Sequence, residues 1–403
     1  MKKIELLAPA GSLKKLKTAI DFGADAVYAG GKEFSLRAYA DNFTLEEMRE
    51  GVEYCHARGK KMYVTVNIFP KNRDFEIAKD YFKALEEIGI DAVLITDAGL
   101  ISLCKKVAPR LPIHLSTQAN TLNKYTVEFW ASQGVERVVL ARELSFDEIK
   151  EIGEHNKDTE LEIFVHGAMC VSYSGRCLLS NYLDGRDANR GECVQACRWN
   201  YSITEYNRGG EPLQMEEDDR GTYILNSKDL NMISYVPEII SAGVHSLKIE
   251  GRMKSEYYLA TVVNAYRRAL DSYFLGTYTE NLANFEKEVR KVVHRDYTVA
   301  YALGSNDRTI AYNSGQNAGT HEFIAVVEDY ADGFATVEMR NRFRKGDKLE
   351  VLSPGEYFNE EILLGEMYDD KGNLIDDAKI VQQLVKIKVN FPLSKGDILR
   401  RKR

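Results

Sequence analysis

The residues best suited to chemistry in this chain are Cys170, Cys177, Cys193 and Cys197, spaced C-x6-C-x15-C-x3-C. They are four of the six cysteines in 403 residues. Thiolate is the soft ligand that zinc and iron–sulfur centres take, so four gathered thiols point to one metal or cluster site. Three readings stay open on spacing alone: a redox or catalytic iron–sulfur cluster, structural zinc, or no metal. Zinc modules usually carry two tight knuckles, and only Cys193 and Cys197 are that close, whereas Cys170 and Cys177 are looser. The radical-enzyme spacing C-x3-C-x2-C is absent. Disulfides would suit an oxidising compartment, but the opening from Met1 to Glu5 runs into a strand without an apolar signal segment, so a reducing cytoplasm is the expectation.

The elements that must position these thiols follow from periodicity. Short β-branched runs alternate with amphipathic helices from the N-terminus, the pattern of repeated βα units. Strands are expected at Ile4–Ala8, Ala26–Ala29, Met62–Asn67, Ala92–Thr96, Ile113–Thr117, Arg137–Ala141, Leu161–Val165 and Ser246–Ile249. Ser12 is an N-cap, Thr44 to Glu47 a capping box, and Gly23, Gly59, Gly89, Gly134 and Gly153 read as helix stops. Eight such units in about 275 residues fit a (β/α)8 TIM-like barrel, predicted over residues 1–300. An open doubly wound sheet would need a Gly-x-Gly turn, which the chain lacks. The cysteines then lie in an insertion after the seventh strand, at 166–222, including a hairpin-like Tyr201–Arg220 and Tyr223–Leu225. A long helix at Tyr257–Leu275 and a second near Phe285–His294 follow. The remainder, 301–403, reads as a linker and a small C-terminal all-β domain, a partly closed barrel with turns at Asp332–Gly333 and Asp370–Gly372.

Barrel chemistry sits at the C-terminal ends of the strands, so Cys170, five residues past Val165, would overhang the catalytic face. Other polar residues at those ends are Tyr28 and Arg37, Asn67, Gln118 and Asn120, Arg142 and Glu143, His166, and Lys248, Glu250, Arg252 and Lys254. For each, a structural ion pair competes with a ligand contact. Arg142, Lys248, Arg252 and Lys254 together could clamp a small polycarboxylate or a phosphate. His166 is a candidate proton donor, against a packing role. Cys55 and Cys104, on helices, read as buried thiols. The chain has no His-Glu-x-x-His, Gly-x-Ser-x-Gly or Walker loop, so the usual hydrolase and nucleotidase signatures are missing.

With 44% hydrophobic and 29% charged residues the chain has an ordinary globular composition, and no apolar run is long enough to span a membrane. A net charge of −7 excludes a globally basic nucleic-acid coat. Local cations remain at Arg340, Arg342, Arg344 and Lys345 and in the closing Arg400–Arg403. They read either as a solvated face and frayed tail or as phosphate contacts.

Glu162–Phe164, Gly167–Cys170, Gly175–Cys177 with Ser180, Gly185–Gly191, Cys193 and Cys197 with Arg198 and Trp199, Leu6–Ser12 and Ile249–Ser255 together resemble the collagenase-like peptidase family of unknown catalytic type. The resemblance covers roughly residues 1–300, and more weakly the region after about 320. Despite that family's name, several members are oxygen-independent hydroxylases of tRNA, ribosomal RNA or a quinone precursor. The resemblance implies a [4Fe–4S] cluster on Cys170, Cys177, Cys193 and Cys197. Within the family the chain looks most similar to the branch that hydroxylates the wobble uridine of tRNA with prephenate as co-substrate. It further implies tRNA and a small polycarboxylate as partners, and a paralogous chain or a second copy as a possible one. Proteolysis is the alternative that the family name carries.

Overall fold

The computed structural model describes residues 4–36, 41–199, 227–304 and 319–403. Strands β1 (Glu5–Ala10), β2 (Ala26–Gly30), β3 (Lys61–Val66), β4 (Ala92–Ile95), β5 (Ile113–Leu115), β6 (Arg137–Val139) and β7 (Glu160–Ala168) pair in parallel in chain order. A short β8 (Asp229–Asn231) pairs antiparallel with the end of β7. Strand β9 (Ser246–Ile249) lies parallel to both β7 and β1 and closes the ring. Eight parallel strands thus form the expected (β/α)8 barrel, and β8 with β10 (Tyr297–Thr298) extends it beside β7.

The helices between strands are α1 (Leu13–Asp21), α2 (Leu45–His56), α3 (Asp74–Ile88), α4 (Ala98–Val107), α5 (Lys124–Ser132) and α6 (Phe146–His155). Ser12 caps α1, and Thr44 with Glu47 forms the capping box of α2. Gly153 is not a helix stop. It lies inside α6, where a Cβ would meet the carbonyl oxygen of Ala242 at 2.7 Å, so a bare backbone lets α6 approach the end of α8 (Val236–Ser241). Helix α7 (Leu179–Asp184) belongs to the cysteine segment, and α9 (Glu256–Leu275) is the long helix. The last, α10 (Tyr278–Val289), begins and ends earlier than its charge pattern suggests, because Tyr278 is buried with its hydroxyl on the carbonyl of Ile233. Among the described residues no helix is long and apolar enough to cross a membrane. Arg37 and the segments Tyr201–Arg220 and Tyr223–Leu225 lie outside the described residues.

The C-terminal region is all-β. Its main sheet has eight antiparallel strands, including His321–Ala331, Phe334–Met339, Lys348–Leu352, Leu384–Lys388 and Ile398–Lys402. A two-stranded ribbon, Phe343–Arg344 with Asp377–Ala378, stands beside it. The Asp332–Gly333 turn has positive φ at both residues, the geometry that matches strand twist in a tight hairpin.

The closing cations are not a frayed tail. Ile398–Lys402 sits inside the sheet between His321–Ala331 and Lys348–Leu352, and Arg400 is fully buried. Its guanidinium donates to both oxygens of Glu288 on α10 at 2.5 and 3.0 Å, to Glu350 at 2.6 Å and to Asn359 at 2.6 Å. Lys291 bridges the same two carboxylates. Val326, Leu352 and Ile398 join the barrel's own apolar core, so the two domains share one packed boundary.

Candidate active site at the barrel mouth

The barrel interior carries an ionic column beneath the mouth. Arg137, almost fully buried, pairs with Glu5, Glu160 and Glu162. Lys248 donates to the other oxygen of Glu162 at 2.7 Å. Burial pushes the Lys248 ammonium below its ordinary pKa while Glu162 opposes that shift. Tyr63 donates to Glu5 at 2.7 Å, and His114 meets its ring edge-on and is held neutral by burial and the nearby cations. Charged residues inside apolar strands, Arg137 in β6 and Glu162 in β7, are the sequence signal for this column.

Above the column the predicted cations take different partners. Arg142 lies over the Phe164 ring at 3.9 Å and donates to the carbonyl of Ala168 at 3.1 Å. Lys248 lies 5.3 Å from the same ring centroid and 4.6 Å from that of Tyr28. Arg142 and Lys248 therefore flank one aromatic side chain, but Lys248 is already matched by Glu162. Arg252 is buried at the end of β2, its Nη2 donating to Ser35 at 2.7 Å. A Cβ on Gly30 would fall 1.9 Å from its Nη1, so only glycine admits the guanidinium there. Tyr28 donates to the Ile249 carbonyl at 2.9 Å and to Glu250 at 3.2 Å, and burial lowers the pKa of Lys254.

His166 does not join this group. The register between β7 and β9 shifts from Phe164 to His166, a bulge that breaks the alternation placing Glu162 and Phe164 toward the mouth. The imidazole instead packs among Tyr258, Tyr266 and Tyr297, with ring centroids 5.4–6.2 Å away. Full burial pushes its pKa down to about 3, so it is neutral at physiological pH.

The cysteine segment folds back over the C-terminal ends of β3, β5 and β6. Ser174 donates through its backbone N–H and its hydroxyl to Glu143, both at 2.8 Å. Arg176 donates to the carbonyl of Gln118 at 2.6 Å. Phe69, past β3, donates to the carbonyl of Asn189 at 3.0 Å, and Arg190 binds the Phe69 carbonyl and Asp74. Asn67 and Ser116 both donate to the side-chain oxygen of Gln118 beneath. The module is built from short turns, and its sulfurs collect donors: the N–H groups of Leu179 on Cys177 and Gln195 on Cys193, and the hydroxyl of Ser172 beside Cys170 at 2.9 Å.

Burial pushes the Cys197 thiol up to about 11 against the opposing Arg198, and Cys170, Cys193 and Cys177 each add to the rise, so these three lie within electrostatic reach of Cys197. Among the described residues no three of the side chains that could bind a metal close to ligating distances. The donor chemistry nonetheless fits a thiolate-held cluster: four thiols, with N–H donors aimed at sulfur. Cys55 and Cys104 stand apart on α2 and α4, fully buried, with their thiols pushed up to about 12 by burial.

A closed (β/α)8 barrel capped by a four-thiol module and joined to an all-β domain is the class that fold and site define. The pattern of Peptidase family U32 matches residues 11–311, that of the Peptidase family U32 C-terminal domain matches 319–400, and the chain belongs to this family. It is 41% identical to the tRNA hydroxylation protein P1 of Bacillus subtilis over 99% of this chain and 95% of that one. It is 39% identical to the tRNA hydroxylation protein P of Escherichia coli, covering 94% and 92%. A 23S ribosomal RNA 5-hydroxycytidine synthase of Escherichia coli is 31% identical over 98% of this chain and 59% of its own length.

Proposed function

We propose that this protein is an RNA-modifying hydroxylase that acts on an unpaired base without molecular oxygen, and specifically that it converts the wobble uridine of tRNA to 5-hydroxyuridine with prephenate as co-substrate. The observation that carries this reading is the four-thiol module held over the barrel mouth by Glu143, Gln118 and Asp74. The relatives, two tRNA hydroxylation proteins and a 23S ribosomal RNA 5-hydroxycytidine synthase, support the same chemistry on nucleic acid.

Cys170, Cys177, Cys193 and Cys197 would hold a [4Fe–4S] cluster, which when bound supplies one-electron chemistry at the mouth. The chain's own residues bind and orient. An unpaired base can be splayed out and inserted beneath the module, which a duplex base cannot. Arg142 and Arg252, with Lys248 between Phe164 and Tyr28, would receive the carboxylates of prephenate. His166, neutral in its tyrosine cage, would position β7 rather than exchange a proton with substrate. Phosphate contacts would fall to Arg342 and Arg344, exposed although both face Asp377, and to Arg403, because Arg400 is buried at the domain boundary.

The test is mass spectrometry of tRNA nucleosides from cells lacking the protein, in a host without a parallel or oxygen-dependent route. Loss of hydroxylated wobble uridine, restored by the wild-type gene and not by a Cys193→Ala gene, is expected. An intact modification would sink the reading and bring forward ribosomal RNA, a quinone precursor or a peptide as substrate.

A further inference from the structure

A cavity of about 410 Å³ lies where the cysteine module meets the barrel rim. Its walls are Phe69 from the loop after β3, Thr96 and Asp97 after β4, Trp130 on α5, and Arg176, which immediately precedes Cys177. That volume lies in the roughly 300–1,000 Å³ range of small-molecule sites. Neither the barrel nor the module makes the cavity alone. The backbone of Phe69 is pinned on both sides by the module, at Asn189 and Arg190, and the Arg176 guanidinium lies 5.3 Å from the Phe69 ring centroid while donating to Gln118.

The lining selects a ligand class. Phe69, Trp130 and Arg176 are three planar groups, the set on which unpaired bases stack. The Asp97 carboxylate, which caps α4 by accepting from Leu100 at 2.9 Å, would repel a phosphate or a polycarboxylate but can accept from the ring N–H or amino group of a base. Thr96 also lines this wall, its hydroxyl turned to the Asn67 carbonyl at 3.4 Å and to the Gln118 side chain at 3.5 Å. We propose that this cavity is a subsite for one unpaired nucleobase of the RNA, next to the base that enters the mouth. This rests on the RNA reading above and deepens it: the module holds the thiols and also closes a base pocket, so the RNA is gripped on the face where it reacts.

The test is an abasic scan. Binding of the anaerobic full-length protein to a short unpaired RNA is measured with each nucleotide in turn made abasic, for wild type, Trp130→Leu, Trp130→Phe and Arg176→Gln. One abasic position is expected to weaken wild-type binding roughly 5- to 100-fold. That penalty should vanish in Trp130→Leu, shrink in Arg176→Gln and return in Trp130→Phe. The chain has two tryptophans, so in a Trp199→Phe background the emission of Trp130 should also be quenched by the RNA and not by its abasic counterpart. Abasic penalties that are the same in all four proteins overturn the proposal, as does quenching by an apolar peptide in place of RNA. If the scan gives the expected coupling while deletion of the gene leaves hydroxylated uridine intact, the hydroxylase reading falls and the base pocket stands.

Discussion

Replacing Arg400 by Met tests the domain boundary and the reassignment of the C-terminal cations together. The guanidinium makes four short hydrogen bonds to Glu288, Glu350 and Asn359 and has no exposed surface. Methionine fills much of the same volume, so the loss is one of charge pairing: Glu288, itself almost fully buried, keeps only Lys291 at 2.9 Å. Removing one partner of a buried pair typically costs about 3–5 kcal/mol, and the remaining Lys291 contact places this case near 3. At about 2.1 cal/mol/K per residue over the 403-residue chain, that is a fall in Tm of roughly 3–4 °C. Differential scanning fluorimetry of the anaerobic protein is the assay, with Arg403→Ala as a control expected to stay within about 1 °C, since surface changes are usually within ±0.5 kcal/mol. Glu288→Gln with Arg400→Met should lose less than the sum of the singles, as groups in one network do. An Arg400→Met protein with unchanged Tm that instead lost salt-dependent tRNA binding would refute the reasoning and make Arg400 a phosphate contact.

Anaerobically purified protein should be brown and carry about four iron and four sulfide per chain, and alanine at any of Cys170, Cys177, Cys193 or Cys197 should bleach it while alanine at Cys55 or Cys104 should not. Stoichiometric zinc without sulfide would exclude the cluster. The pKa of His166 is lower in the folded protein, at about 3, than in the unfolded chain, so its share of stability is present above pH 6.5 and is lost as pH falls toward 3; at pH 5 the loss is about 2 kcal/mol. His166→Gln should flatten that acid limb in urea melts taken from pH 7 to 5, and an unchanged limb would mean that the imidazole protonates without cost. Arg142→Ala and Arg252→Ala should each raise the prephenate needed for hydroxylation at least tenfold, a loss of about 1.4 kcal/mol or more, while the protein keeps its colour. Lys248→Ala should in addition destabilise the barrel, because Glu162 then keeps only Arg137. A prephenate dependence unchanged from wild type in all three would dispose of the clamp.

The barrel was legible because its signals are local. β-branched runs, caps at Ser12 and Thr44, and positive-φ glycines at Gly89 and Gly134 each act within a few residues, and the fold repeats the unit eight times. The thiol cluster was legible because cysteine is rare in the chain. What the sequence hid depends on partners far away along it. A run of cations at a chain end looks like a solvated tail until Glu350 and Glu288, 50 and 112 residues earlier, are brought against Arg400. His166 lies near the end of β7, and only the bulge opposite β9 turns it away from the mouth. Gly153 looks like a helix stop because its neighbour across the interface, Ala242, belongs to another βα unit.

The same distinction separates the barrel from its cap in energetic terms. The barrel is held by a continuous apolar core from Ile4 to Ala302. The module buries few large apolar groups and leaves Tyr173, Leu178, Tyr182 and Trp199 exposed. Its position depends on polar staples to three rim loops: Arg190 to Asp74 and Phe69 past β3, Arg176 to Gln118 past β5, and Ser174 to Glu143 past β6. Each is a charge-assisted or backbone hydrogen bond worth about 0.5–3 kcal/mol net, so the cap is held more loosely than the barrel beneath it. A shared ligand on the four thiols, in the function proposed, would supply the remaining constraint: it ties Cys170, at the end of β7, to Cys197, beyond the last staple. The loops that carry the staples also carry Phe69, Gln118 and Arg142, so a change in the thiols' ligand reaches the walls of the mouth through one or two hydrogen bonds. In the function proposed, the group that does the chemistry would also shape the pocket.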